Sequence, residues 1–76
     1  MNKERRNRLR AAVGSLTEAV DIVTDVMDGE QEALDNLPEP IAECEVGQKM
    51  EENIDELDAV LSDLEAARDR LESIID

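Results

Sequence analysis

Seventy-six residues suffice for one small domain and no more, and at that length only a modest fraction of the surface can be hidden. With no Phe, Tyr, Trp or His, the core must come from Leu, Ile, Val, Met and Ala. Ring-stacking platforms for single-stranded nucleic acid, sugars or methylated lysine are excluded. The formal net charge of −13 is uneven: Lys3, Arg5, Arg6, Arg8 and Arg10 are five of the eight basic residues, leaving residues 11–76 with three basic against twenty acidic side chains, a balance of −17. Such a surface repels nucleic acid and anionic membranes and favours basic partners.

The first predicted element is a helix over about residues 3–37, with Asn2 as its cap. Its apolar positions are Leu9, Val13, Leu16, Val20, Val23, Met27, Leu34 and Leu37, interrupted once by Glu30. The steps alternate four and three, which is a heptad seam. Ala12, Ala19, Val26 and Ala33 widen it along one flank. Gly14 and Gly29 are poor helix residues, each costing about 1 kcal/mol relative to Ala, which leaves room for a kink near Asp28-Gly29. The basic start opposes the helix macrodipole, which prefers acidic residues there. In an antiparallel arrangement Asp69, Glu72 and Asp76 would neutralise Arg5, Arg6 and Arg8.

Pro38 and Pro40 end this helix, because each lacks an amide donor and restricts the residue before it. The bend is placed at about 38–47, with a restart near Ile41 or after Gly47, and the second helix at about 48–75. That helix repeats the seam through Met50, Ile54, Leu57, Leu61, Leu64, Arg68, Leu71 and Ile75, flanked by Val60, Ala67 and Ile74. The fold class is therefore all-α: a single-domain antiparallel hairpin. Its widened stripes would stay wet in one copy, so assembly into a four-helix bundle or larger homo-oligomer is expected.

Pairing the helices about a bend centred near residue 42 sets Glu30 opposite Ile54 and Arg68 opposite Leu16. The two polar seam residues cannot meet within one hairpin. At about 1.5 Å per residue they lie about 18 and about 39 Å from the bend, so two hairpins overlapping head to tail by about 57 Å would juxtapose them and set a register.

Catalysis is not expected. A lone cysteine and no histidine leave no thiolate or imidazole metal cluster, and "DVMDGEQEALDN" lacks the spacing of an EF-hand. There is no Gly-rich phosphate loop, and Ser15, Ser62 and Ser73 have no neighbouring base. No cofactor is expected. Cys44, between Glu43 and Glu45, reads as a reduced loop residue. The basic start is followed only by "AAVGSLT" before Glu18, too short and polar for a signal sequence. A cytoplasmic location without membrane contact follows.

Three candidate surfaces remain. On the first helix Glu18, Asp21, Asp25, Asp28, Glu32 and Asp35 recur at steps of three and four; on the second, Glu51, Asp55, Asp58, Ser62, Glu65, Asp69, Glu72 and Asp76 do the same. Such ridges keep a small oligomer soluble, yet like charges at this spacing cost about 0.2–0.5 kcal/mol each, and a merely solvated face would mix signs. A ridge built for a basic partner, including nucleic-acid mimicry, is the sharper reading. One helix offers a charge per about 5 Å against about 1.7 Å for duplex DNA, so mimicry needs an oligomer. The second surface is the bend, where Leu37, Pro38, Pro40 and Ile41 would form an apolar tip. The third is the cluster Arg5, Arg6, Arg8 and Arg10, which could bind a small anionic ligand.

"EALDNLPEP" followed by "GQKMEENIDELDAVLSDLEAA" resembles small acidic helical proteins carried by tailed bacteriophages and prophages, with an Asp-Asn-Leu/Met-Pro-Glu bend before a second amphipathic helix. The similarity covers nearly the whole chain. Pro40 and Cys44 depart from the pattern. The resemblance implies an accessory phage product directed at a host protein or defence system. Three functions are compatible with these features: an acidic protein blocking a basic site on a host protein, a sponge for an anionic signalling nucleotide, and a purely structural oligomer or assembly factor.

Overall fold

The computed structural model describes residues 1–76 as three helices: α1 (Lys3–Asp35), α2 (Glu39–Ala42) and α3 (Glu45–Ile75). Asn2 caps α1 as expected: its Oδ1 accepts from the Arg5 amide at 2.8 Å, and its backbone carbonyl accepts from Arg6 at 3.1 Å. Both glycines of α1 are exposed, with nothing within 4 Å of where a Cβ would stand. The helix runs through them without a break, the apolar seam continuing on both sides of Asp28-Gly29.

Helix α1 ends two residues earlier than the spacing suggests. Pro38 forces Leu37 out of the helical region, and the chain tightens first, the Asn36 amide donating to Glu32 and the Leu37 amide to Leu34, both at 3.1 Å. Pro40 then does something a breaker is not expected to do. It occupies the first turn of α2, where its missing amide has no intrahelical partner to lose. The Pro38 carbonyl closes that turn by accepting from Ile41 and Ala42 at 2.9 Å.

Helix α3 begins at Glu45, three residues before the expected start. Cys44, extended at φ −88° and ψ −177°, is its cap residue and provides no side-chain acceptor for it; instead its Sγ donates back to the Pro40 carbonyl at 2.9 Å. Gly47 therefore lies in the first turn of α3, and it is buried. A Cβ there would fall onto the Ala42 backbone carbonyl, so the close approach of α2 to α3 requires glycine.

Beyond the bend, α3 packs back along α1, making a rod of 59 × 14 × 13 Å. The seam is legible in the burial pattern: each seam position of α1 from Leu9 to Leu37, and of α3 from Met50 to Ile75, is sheltered to some degree. Only Leu61 and Ile75 among the large apolar residues are buried, and neither completely. Two helices without aromatic side chains form a seam one residue thick, so most core side chains keep one side in water.

Two substitutions test the local determinants. Gly47→Ala should destabilise the fold by about 1–3 kcal/mol in urea unfolding, since backbone rather than a flexible side chain must move. Asn2→Ala should cost about 1 kcal/mol and Asn2→Gly only a few tenths, read by the same measurement.

Candidate functional site

Writing each heptad as abcdefg with the seam at a and d, antiparallel pairing places the e positions of both helices on one side of the hairpin and the g positions on the other. The structure shows this at the free end of the rod. Arg10 and Glu72, both at e, line one shallow concavity together with Val13, Ile75 and Asp76.

The acidic ridges belong to the e side. Glu51, Asp58, Glu65 and Glu72 are e residues of α3, backed by Asp55, Asp69 and Asp76 at b; on α1, Asp21, Asp28 and Asp35 are at b and Glu18, Asp25 and Glu32 at f. Every one of these carboxylates is exposed. Between the ridges runs a neutral strip whose hydroxyls are turned inward: Thr17 donates to the Val13 carbonyl at 3.0 Å and Thr24 to that of Val20 at 2.7 Å. Compensation is nearly absent. Of the ridge residues only Asp69 has an ion pair, with its neighbour Arg68 at 3.4 Å, and Asp35 accepts from Gln31 at 2.9 Å. The other ion pair joins Lys49 to Glu52 at 3.8 Å, outside the ridges.

The N-terminal cations are arranged differently from expectation. Arg5, Arg6 and Arg8 form no ion pair with Asp69, Glu72 or Asp76. The residue that comes beside Glu72 and Asp76 is Arg10, and its guanidinium donates to Asn7 at 2.7 Å. Arg5 and Arg8 line a separate concavity with Met1 and Leu9. The four arginines thus do not converge on one pocket.

At the bend, Pro38, Pro40 and Ile41 are exposed but Leu37 is half-buried. Leu37 is the last seam residue of the first heptad series, so it turns inward and does not belong to a presented tip. Glu30 and Arg68 both sit sheltered in the seam; Glu30 has no ion pair, and the Arg68 side chain is 25% exposed with Asp69 as its only carboxylate partner. No group of three or more His, Cys, Asp or Glu side chains is disposed to hold a metal ion. No helix is long and apolar enough to cross a membrane.

The separation of the hairpin into two chemically different sides is the feature that spacing along single helices did not reveal. Its signal lay in the flank residues at steps of seven, which become one surface only when the antiparallel pairing is applied to both helices together.

Arg68→Leu should raise the unfolding free energy by about 1 kcal/mol, because a cation half-sheltered in the apolar seam gives way to an apolar side chain. If Arg68 also sets the register between copies through Glu30, the same variant will change the oligomer's mass in sedimentation. No family model matches the chain, and comparison with curated proteins and with solved structures finds no match in either.

Proposed function

We propose that this protein is a non-enzymatic acidic binding protein whose ridged side occupies a basic surface on another protein. The observation that carries this reading is the segregation of uncompensated carboxylate: two exposed ridges lean toward one side of a rod 59 Å long, and a single adjacent arginine is their only ion-pairing partner. Maintaining that repulsion costs helix stability, and a basic partner would relieve it. Nucleic-acid-binding surfaces are the basic surfaces that such spacing suits, and the resemblance to phage proteins makes a host factor the natural target. In an oligomer, ridges from several copies would approach the charge density of a duplex.

A second reading is favoured by one observation. Arg5 and Arg8 are exposed, unpaired and share a concavity with Met1 and Leu9, which suits sequestration of a small anionic ligand. A structural oligomer is the third reading, for which neither charged surface matters beyond solubility.

The test is capture from host lysate at low and moderate salt, with intact-mass measurement of what is retained. The acidic reading expects a protein partner released by salt and lost when Asp21, Asp25, Asp28, Asp55 and Asp58 are changed together to Asn. Retention of the partner by that variant overturns it. A small fixed mass increment abolished by Arg5→Ala/Arg8→Ala would support the sponge instead.

A further inference from the structure

The side of the hairpin opposite the ridges has the reverse character. Of the six large apolar side chains left exposed, four are helical g or c residues on this side: Ile22 (55%), Val26 (53%), Val46 (56%) and Ile74 (53%). A fifth, Met1, joins Arg5 and Arg8 along the same flank. Small residues at Ala12, Ser15, Ala19, Gly29 and Ala33 interleave with them, which lets a second pair of helices approach closely. The charges are segregated as sharply as the apolar groups. Of the 21 acidic residues only Glu56 and Asp63 occupy c or g positions, against four of the eight basic ones, Arg5, Arg8, Lys49 and Arg70. This side therefore carries +2 and the rest of the chain −15.

We propose that this side is the interface of a homodimer in which a second copy of the chain packs face to face, with the two bends at opposite ends. This does not depend on the acidic side having a partner. It is the one surface on which two chains of charge −13 can meet without opposing their carboxylate ridges, which then point outward from both copies. The length is adequate: contact along the whole 59 Å rod would bring the interface toward the roughly 800 Å² per partner of a stable one.

The orientation follows from charge. A twofold axis crossing the face at Ile22 pairs α1 with α1 and α3 with α3. It sets Ile22 against itself and Ser15 against Gly29, each seven positions from the axis. Arg5 and Arg8 lie at the start of α1 and Glu39 and Glu43 just past its end, so the basic start of each copy falls toward the acidic bend of the other. With the seam pairing that sets Glu30 opposite Ile54, Ile22 is level with residue 62, which puts Glu56 of one copy within about 3 Å in height of Arg70 of the second. The alternative, with both bends at the same end, pairs α1 with α3. It sets Asp63 against Ile22 and gathers the N-terminal arginines of both copies at one end, leaving each charge unmatched.

Sedimentation velocity on the full chain tests the proposal, with circular dichroism as the control for helicity. The wild type should run as a dimer of the 8.5 kDa chain. Ile22→Glu/Val26→Glu should weaken the dimer by about tenfold or more, and Asp58→Lys on the ridged side should leave it intact. Because the double variant can also unfold the hairpin, disulfide trapping is read alongside. In a Cys44→Ser background, Ile22→Cys should oxidise to a covalent dimer by itself. Ser15→Cys should do so only when mixed with Gly29→Cys. A monomeric wild type, a folded double variant of unchanged mass, or a dimer that Ile22→Cys fails to trap would each overturn the proposal.

Discussion

Everything in the molecule depends on where α3 begins to run back along α1, and that point is held by the approach of the Gly47 backbone to the Ala42 carbonyl. One turn of helix, α2, is folded under the first turn of α3 with no room for a side chain between them. Pro38 and Pro40 limit how the chain can enter this arrangement, and the Cys44 thiol ties its exit to the Pro40 carbonyl at 2.9 Å. A shift of one residue at the bend would rotate α3 by a quarter of a turn relative to α1. The seam would then lose its partners, and the flank and ridge positions would exchange sides. The register between the two helices depends on this contact as much as on the apolar pattern.

The apolar pattern itself was readable without coordinates because steps of three and four admit one physical solution, a stripe along a helix that needs covering. Each seam residue is sheltered in the structure, including the two polar interruptions Glu30 and Arg68, whereas Val26, Ala33, Ala67 and Ile74 of the widened flanks are exposed. The bend was harder to read. Pro40 looks like a breaker, yet in a first helical turn a missing amide breaks nothing. Cys44 is a poor cap because a thiol donates more readily than it accepts, so the early start of α3 has no cap signature to betray it. Gly47 looks like a boundary, whereas its role is tertiary: what excludes a side chain there is a carbonyl belonging to another helix. The arginines were harder to place, because which of them reaches the end of α3 is settled at the far end of the rod from the bend, where Arg10 and not Arg5, Arg6 or Arg8 comes beside Glu72 and Asp76.

The ridges were also visible in the sequence, but their meaning depends on which way they face. Taken one helix at a time they are polar backs of amphipathic helices. Joined by antiparallel pairing, they become one side of a rod, with an apolar and mildly basic side behind it. This arrangement divides labour between the two surfaces. The side that can approach another copy is nearly free of carboxylate, and the side that cannot is rich in it. An acidic binding surface and a self-associating surface therefore need not compete for the same residues.

The two open glycines of α1 have a dynamic consequence. Gly14 and Gly29 have no neighbours that demand a missing side chain, and each gives its helix more backbone freedom than an alanine would. Helix α3 has no glycine beyond its first turn. The two arms of the hairpin are thus unequal in stiffness: amides around Gly14 and Gly29 should exchange with solvent through local openings well below the energy of global unfolding, while the middle of α3 opens only when the whole molecule does. On that expectation α1 is the more pliant of two struts, and a partner that curves along the rod would meet its compliance first.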